Sequence, residues 1–154
     1  MSEQEISIQD YKVFVFDLDD TLYLHNVDLL YREEYTRKVK EFLQLLKDSG
    51  KILCLATHNK SPYTYLHKMD IYDIFNEIIY ETRNVHPSLN SIYDYTNKKY
   101  MIQEILDKTN SKHDEVIFFD DHMYNINEVK SIGVETVYVS PQTGIMIEKL
   151  MLSC

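Results

Sequence analysis

The run Val13-Phe14-Val15-Phe16-Asp17-Leu18-Asp19-Asp20-Thr21-Leu22 constrains this chain more than any other stretch. Four consecutive β-branched and aromatic residues read as a strand buried on both faces, of the kind found in parallel sheets covered by helices. Three carboxylates and a threonine follow at once, where such a strand would end. In an open α/β sheet, ligands bind in the crevice beyond the carboxyl ends of the strands. Acids packed this closely at a buried edge repel each other and lose hydration, so they need a cation or must take up protons. Oxygen-only ligands of this hardness suit Mg²⁺.

The rest of the chain repeats the alternation. A helix is expected from about Leu29 to Ser49, with apolar residues at helical spacing (Tyr35, Val39, Phe42, Leu43, Leu46) and Gly50 as its stop. Ile52 to Ala56 is a second buried strand, ending in Thr57-His58-Asn59. Ser61 as cap and Pro62 in the first turn start another helix. Glu77 to Tyr80 is a short third strand, and residues 82–97 read as a loop. Lys98 to Lys108 has one apolar helical face. Val116 to Phe119 is the fourth strand and runs straight into Asp120-Asp121. A helix is expected from near Asn125, with Glu128 completing a capping box, and Gly133 ends it. Val134 to Val139 is the fifth strand, residues 1–11 are a polar lead-in, and Ile145 to Leu152 reads as a last helix.

Strands alternating with helices specify a parallel sheet built from crossover units. The expected fold is therefore α/β, a Rossmann-like three-layer sandwich around a mainly parallel five-stranded sheet. At 154 residues the chain fits one domain spanning 1–154, able to bury roughly 70% of its unfolded surface. The net charge of −9 argues against a broad nucleic-acid or anionic-membrane surface. The acidic opening Met1 to Ile6 has no apolar core and is not a signal peptide, and no apolar run approaches the ~20 residues of a membrane helix. Two cysteines, one inside a strand and one at position 154, give no disulfide framework. A reduced, cytoplasmic setting is expected.

Three of the five strands end in chemically able residues: Asp17 and Asp19 on the first, Thr57 on the second, Asp120 and Asp121 on the fourth. In a parallel sheet those ends share one edge. With a lysine opening the helix after the third strand, this order resembles the haloacid dehalogenase superfamily of phosphohydrolases. Its first motif, Asp-x-Asp-x-Thr after a hydrophobic strand, is matched by Asp17 to Thr21. The second, a Ser or Thr ending the next strand, is matched by Thr57. The third, a lysine at a helix start, falls on Lys98 or Lys99, and the spacing to Asp120 fits best at Lys98. The fourth is the pair Asp120-Asp121. The stretch from Lys98 through Phe118-Phe119-Asp120-Asp121 to Asn125 is similar to the capless magnesium-dependent phosphatase branch.

The resemblance implies an enzyme with residue-by-residue roles. Asp17 would be the nucleophile, forming an aspartyl-phosphate. Asp19 would protonate the leaving oxygen and then activate water. Mg²⁺ would be held by Asp17, the Asp19 backbone carbonyl and Asp120, with Asp121 a direct ligand, a ligand through water, or an orienting group. Thr57 and Lys98 would bind the phosphoryl group, with His58 and Asn59 at the mouth within reach of substrate. Asp20 reads as a turn residue, and Tyr23, His25, Tyr63 and Tyr65 as possible lining of the entrance. Neither the interval from Thr21 to Ile52 nor that from Tyr80 to Lys98 has room for a cap domain. An open site suits a phosphoprotein side chain, phosphotyrosine included, or a small sugar-phosphate-type substrate. A phosphorelay receiver domain uses similar residues, but its phospho-acceptor lies on the third strand, which here ends Ile79-Tyr80-Glu81-Thr82. The alternative that stays open is a catalytically idle phosphate- and metal-binding module on the same scaffold.

Overall fold

The computed structural model describes residues 6–80 and 97–151. Seven strands and four α-helices occur among them: β1 (Ile6–Ser7), β2 (Val13–Phe16), α1 (Leu29–Asp48), β3 (Ile52–Thr57), α2 (Pro62–Lys68), β4 (Glu77–Tyr80), α3 (Lys98–Thr109), β5 (Val116–Asp120), α4 (Met123–Lys130), β6 (Glu135–Tyr138) and β7 (Leu150–Met151). Five strands make one sheet in the order β4-β3-β2-β5-β6, parallel at every pairing. The Rossmann-like α/β expectation is met, and β2 sits at the centre.

Strand periodicity explains the three layers. Side chains alternate across a strand, so Phe14, Phe16, Leu53, Leu55, Ile117 and Phe119 face one way, into a core completed by Tyr35, Val39, Leu43 and Leu46 of α1. Val13, Val15, Cys54, Ala56, Val116 and Phe118 face the other way, against Met101, Ile102 and Ile105 of α3 and Ile126 and Val129 of α4. Each such side chain, fully removed from water, contributes ~1.5–3 kcal/mol. Phe16 and Phe119 stack at 4.9 Å between centroids, locking β2 to β5 just below the ends that carry the acids.

Several local expectations need correction. The lead-in is not free of structure: β1 pairs in parallel with β7, and Ile8 is fully buried. The last helix does not form. Residues Ile147–Lys149 make one 3-10 turn and β7 follows, because its backbone finds partners in β1 and Ile145 is drawn into the core. The Ser61 side chain makes no capping bond to α2; its own N–H donates to Asn59 Oδ1 at 2.7 Å. Helix α4 starts at Met123, two residues before Asn125, because Asp120 Oδ1 accepts the His122 N–H at 2.8 Å and turns the chain early. Glu128 accepts from Asn97 Nδ2 at 3.1 Å and pairs with Lys99 at 3.2 Å, so it is no capping-box partner. The loop expected over 82–97 lies outside the described residues except for Asn97, which caps α3 by accepting the Lys99 N–H.

Between β2 and α1 there is only a short flap, and no cap domain interrupts the described residues. No helix among them is long and apolar enough to cross a membrane. The flap is tied to the distant C-terminal segment through one hydroxyl. Tyr35 Oη donates to the Thr21 carbonyl at 2.5 Å and accepts the Ile145 N–H at 2.8 Å. Gly144 makes this possible: its φ is +73°, and a Cβ there would lie 2.2 Å from the Tyr35 ring.

Candidate active site

Strand β2 delivers Asp17 at the sheet edge, where its N–H donates to the Phe119 carbonyl at 2.9 Å. The chain then turns tightly. The Leu18 carbonyl accepts from Leu22 at 2.9 Å and from Tyr23 at 3.0 Å, and Asp20 takes a left-handed φ of 60°, a conformation Asp tolerates better than most residues. Asp20 Oδ1 accepts the His25 N–H at 3.0 Å, so Asp20 shapes the flap. Thr57 ends β3 fully buried, with its hydroxyl oxygen accepting the Asn59 N–H at 3.0 Å. Asp120 ends β5.

Lys98 joins these strand ends. Its Nζ donates to Asp17 Oδ1 at 3.0 Å and to Asp120 Oδ2 at 2.9 Å, and it is 1% exposed. Lys99 points away to Glu128. Of the two candidate lysines, it is Lys98 whose ammonium reaches the acids at the strand ends. One oxygen from each of Asp17, Asp120 and Asp121 lies within 4.8 Å of the others. Thr21 Oγ1 sits 3.3 Å from both Asp17 Oδ2 and Asp121 Oδ1. Asn125 Nδ2 donates to Asp120 Oδ2 at 3.2 Å. The site opens as a cavity of about 200 Å³ lined by Asp17, Asp19, Thr57, His58, Lys98 and Asp121, among others.

Two sequence-derived placements differ in detail. The Asp19 side chain stands apart from the three clustered carboxylates: its Oδ1 lies 2.7 Å from His25 Nε2, and its Oδ2 accepts from Asn59 Nδ2 at 3.0 Å. The resemblance implies a place at the cation for the Asp19 backbone carbonyl rather than for this side chain. The Asn59 amide, expected at the phosphate, is committed to Asp19. His25, expected at the entrance, meets Asp19 instead; nothing in its sequence neighbourhood shows where a flap side chain points.

Three carboxylates face one ammonium, and the electrostatics follow. Burial pushes the Asp17 carboxyl above its usual range; Lys98 pulls it back, and Asp120 adds to the rise. Burial alone would lower Lys98, but Asp17 and Asp120 overcome it and hold the ammonium charged. Asp121 is pushed up to about 8, by burial first and then by neighbouring Asp17. The native state thus binds more protons than the unfolded chain between the ordinary carboxylate value and about 8, so metal-free stability falls as pH rises through that window. In chelator, the melting temperature should drop steadily from about pH 5 to pH 8. Asp121→Asn should flatten the profile and melt higher than wild type at the alkaline end. Superimposable wild-type and variant profiles would show that Asp121 carries no strain. Asp120 is the wrong position for this test, since both its oxygens accept hydrogen bonds and an amide there would set donor against donor.

The fold sets three carboxylates, a threonine and a lysine at one edge of a parallel α/β sheet, and solved structures share that fold. The N-terminal part of a Bacteroides fragilis protein, containing a phosphatase domain complexed with Mg, is similar over 92% of this chain at 20% identity and a TM-score of 0.69. This chain spans only 39% of that one. A haloacid dehalogenase-like hydrolase from Streptococcus pneumoniae covers 91% of this chain and is itself covered over 90%, at 12% identity and a TM-score of 0.63. For a phosphatase from Clostridium difficile the shares are 89% and 88%, at 23% identity and a TM-score of 0.61. No curated protein matches the sequence. Residues 31–151 match the acid phosphatase family model, and the chain belongs to that family. The matched segment contains Thr57, Lys98, Asp120 and Asp121 and begins after the Asp17–Thr21 motif.

Proposed function

We propose that residues 1–154 form a single Mg²⁺-dependent phosphomonoester hydrolase domain that works through an aspartyl-phosphate on Asp17. The observation that carries this reading is Lys98, a buried ammonium bonded to both Asp17 and Asp120 at an edge open to substrate. An Asp17 oxygen attacks phosphorus while the bond to the leaving oxygen breaks, and Asp19 gives that oxygen its proton. Water then attacks the phosphoenzyme, Asp19 takes the water's proton, and Asp17 is released with inorganic phosphate. Lys98 and the Thr57 hydroxyl bind the non-bridging oxygens, where charge gathers as the reaction proceeds.

The donor set supports a hard cation: three carboxylates offer oxygens within 4.8 Å, and Lys98 supplies one positive charge against them. Asp17, the Asp19 carbonyl and Asp120 would hold Mg²⁺, with Asp121 beside them. Bound there, Mg²⁺ would offset repulsion between an anionic phosphate and the Asp17 carboxylate. An edge with no cap domain among the described residues favours a phosphoprotein side chain such as phosphotyrosine, or a small sugar-phosphate-type molecule. The buried free thiol of Cys54 suits a reducing, cytoplasmic setting.

The test is hydrolysis of 4-nitrophenyl phosphate with Mg²⁺ and with chelator, alongside thermal melts in both. Turnover should require Mg²⁺. A cation that binds only the folded state at a hundredfold excess over Kd stabilises by ~2.7 kcal/mol. For a chain of this size that is a melting shift of roughly 5–10 °C. A protein that binds Mg²⁺ but turns over no phosphomonoester is an idle binding module; one that binds no Mg²⁺ overturns the metal-dependent reading altogether.

A further inference from the structure

Asp19 has to hold a proton, release it to the leaving oxygen and collect another from water, yet about a third of its side chain faces the open mouth. A carboxylate in that position swings freely unless something holds it. Two donors from different parts of the fold do so. On one side His25 Nε2 meets Oδ1 at 2.7 Å. On the other, Asn59 Nδ2 donates to Oδ2 at 3.0 Å and reaches Oδ1 at 3.3 Å. Asn59 stands just beyond β3, whereas His25 stands on the flap.

The flap that carries His25 is held at its backbone, and the ring is packed by two tyrosines. Arg32 reaches back from α1 and donates from Nε to the Leu24 carbonyl at 2.6 Å and from Nη2 to the His25 carbonyl at 2.8 Å. The His25 N–H is held by Asp20. Tyr23 and Tyr65 pack edge-on against the imidazole with centroids 5.0 and 5.6 Å away, and Tyr23 is nearly fully buried. A guanidinium and a carboxylate thus hold the backbone at residue 25, two phenol rings pack against its imidazole, and Nε2 meets Asp19 Oδ1. Nε2 donates to Asp19 in the neutral Nε2–H tautomer and in the imidazolium alike.

Resting on the phosphatase reading above, we infer that His25 is a positioning residue for proton transfer. With Asn59 it clamps the Asp19 carboxylate, His25 engaging Oδ1 while Asn59 spans both oxygens, so that the group carrying the proton to the leaving oxygen is held in one orientation. Proximity of this kind acts in the transition state, where proton donation matters most for a poor leaving group. A residue that merely stiffens the flap would affect good and poor leaving groups alike.

The experiment measures kcat/KM of the Mg²⁺-loaded enzyme on 2,4-dinitrophenyl, 4-nitrophenyl and phenyl phosphate, for wild type, His25→Ala, His25→Gln and Asp19→Asn. Phenolate needs a proton to leave, and dinitrophenolate does not. General acid–base help is worth ~10²–10⁴-fold in full. Loosening the acid without removing it should therefore cost His25→Ala ~10–100-fold on phenyl phosphate and less than ~3-fold on the dinitrophenyl ester. Asp19→Asn should show the same tilt, more steeply. His25→Gln, whose amide nitrogen can stand where Nε2 stands, should recover most of the phenyl phosphate activity, and it remains informative if His25→Ala fails to fold. A uniform loss on all three esters, or no loss, overturns the positioning role while leaving the phosphatase reading intact. If wild type hydrolyses none of the three, the phosphatase reading itself fails.

Discussion

Asp17→Asn should abolish turnover of 4-nitrophenyl phosphate, a loss of ~10⁴-fold or more, the scale on which a covalent nucleophile is missed. The amide oxygen cannot form the phosphoryl ester, and neither Asp19 nor Thr57 is placed to replace it. The same substitution should leave folding untouched or slightly improved. Burial already disfavours the Asp17 charge, and Lys98 keeps Asp120 as its partner. A melting temperature at or above that of wild type, together with a dead enzyme, would separate chemistry from stability. Residual activity beyond a small fraction, in a preparation free of contaminating phosphatase, would end the covalent mechanism.

Lys98→Met should damage both. Methionine keeps much of the length of the side chain but leaves Asp17 and Asp120 facing each other in a dry site. Removing one partner of a buried ion pair costs ~3–5 kcal/mol, a fall in melting temperature of roughly 10 °C or more for this size. Activity should drop a further ~10²–10³-fold per molecule folded, as when one preorganised donor to a developing charge is lost. Mg²⁺ should restore part of the stability, since a cation among the same carboxylates does some of what the ammonium did, but not the turnover. Lys99→Met removes the Glu128 pair, in which both side chains are more than a quarter exposed, and a contact over the Tyr100 ring; exposed pairs of that kind are worth ~0–1 kcal/mol. Equal, mild effects at the two lysines would mean that the phosphate-binding cation lies elsewhere.

The central strands were legible because each is an unbroken apolar run, and a strand buried on both faces has no polar phase to disguise it. Asp17, Thr57, Lys98 and Asp120 were legible for a related reason: each begins or ends such an element, so the topology alone brings them together. What escaped depends on partners far along the chain. Two residues are too few to show a period, so β1 and β7 exist only through each other. The early start of α4 comes from a side chain, Asp120, folding back onto the backbone of His122. His25 escaped for a third reason. Its direction follows from the left-handed backbone at Asp20 and from the reach of Arg32 across the flap, neither of which leaves a spacing to read.

The Tyr35 hydroxyl has a consequence in time. The loop that carries the acids is fixed at Thr21 by a phenol from the next helix, and that phenol is held in turn at Ile145, 110 positions further on. Contacts so distant in sequence form late, because a long loop must close before they reward the chain. On a ribosome adding ~5–20 residues per second, Asp17 emerges on the order of ten seconds before the segment that completes the loop's anchorage. Until then the nascent chain displays its acids on an untethered loop. The bond from Ile145 to Tyr35 therefore forms only once the segment around residue 145 has docked.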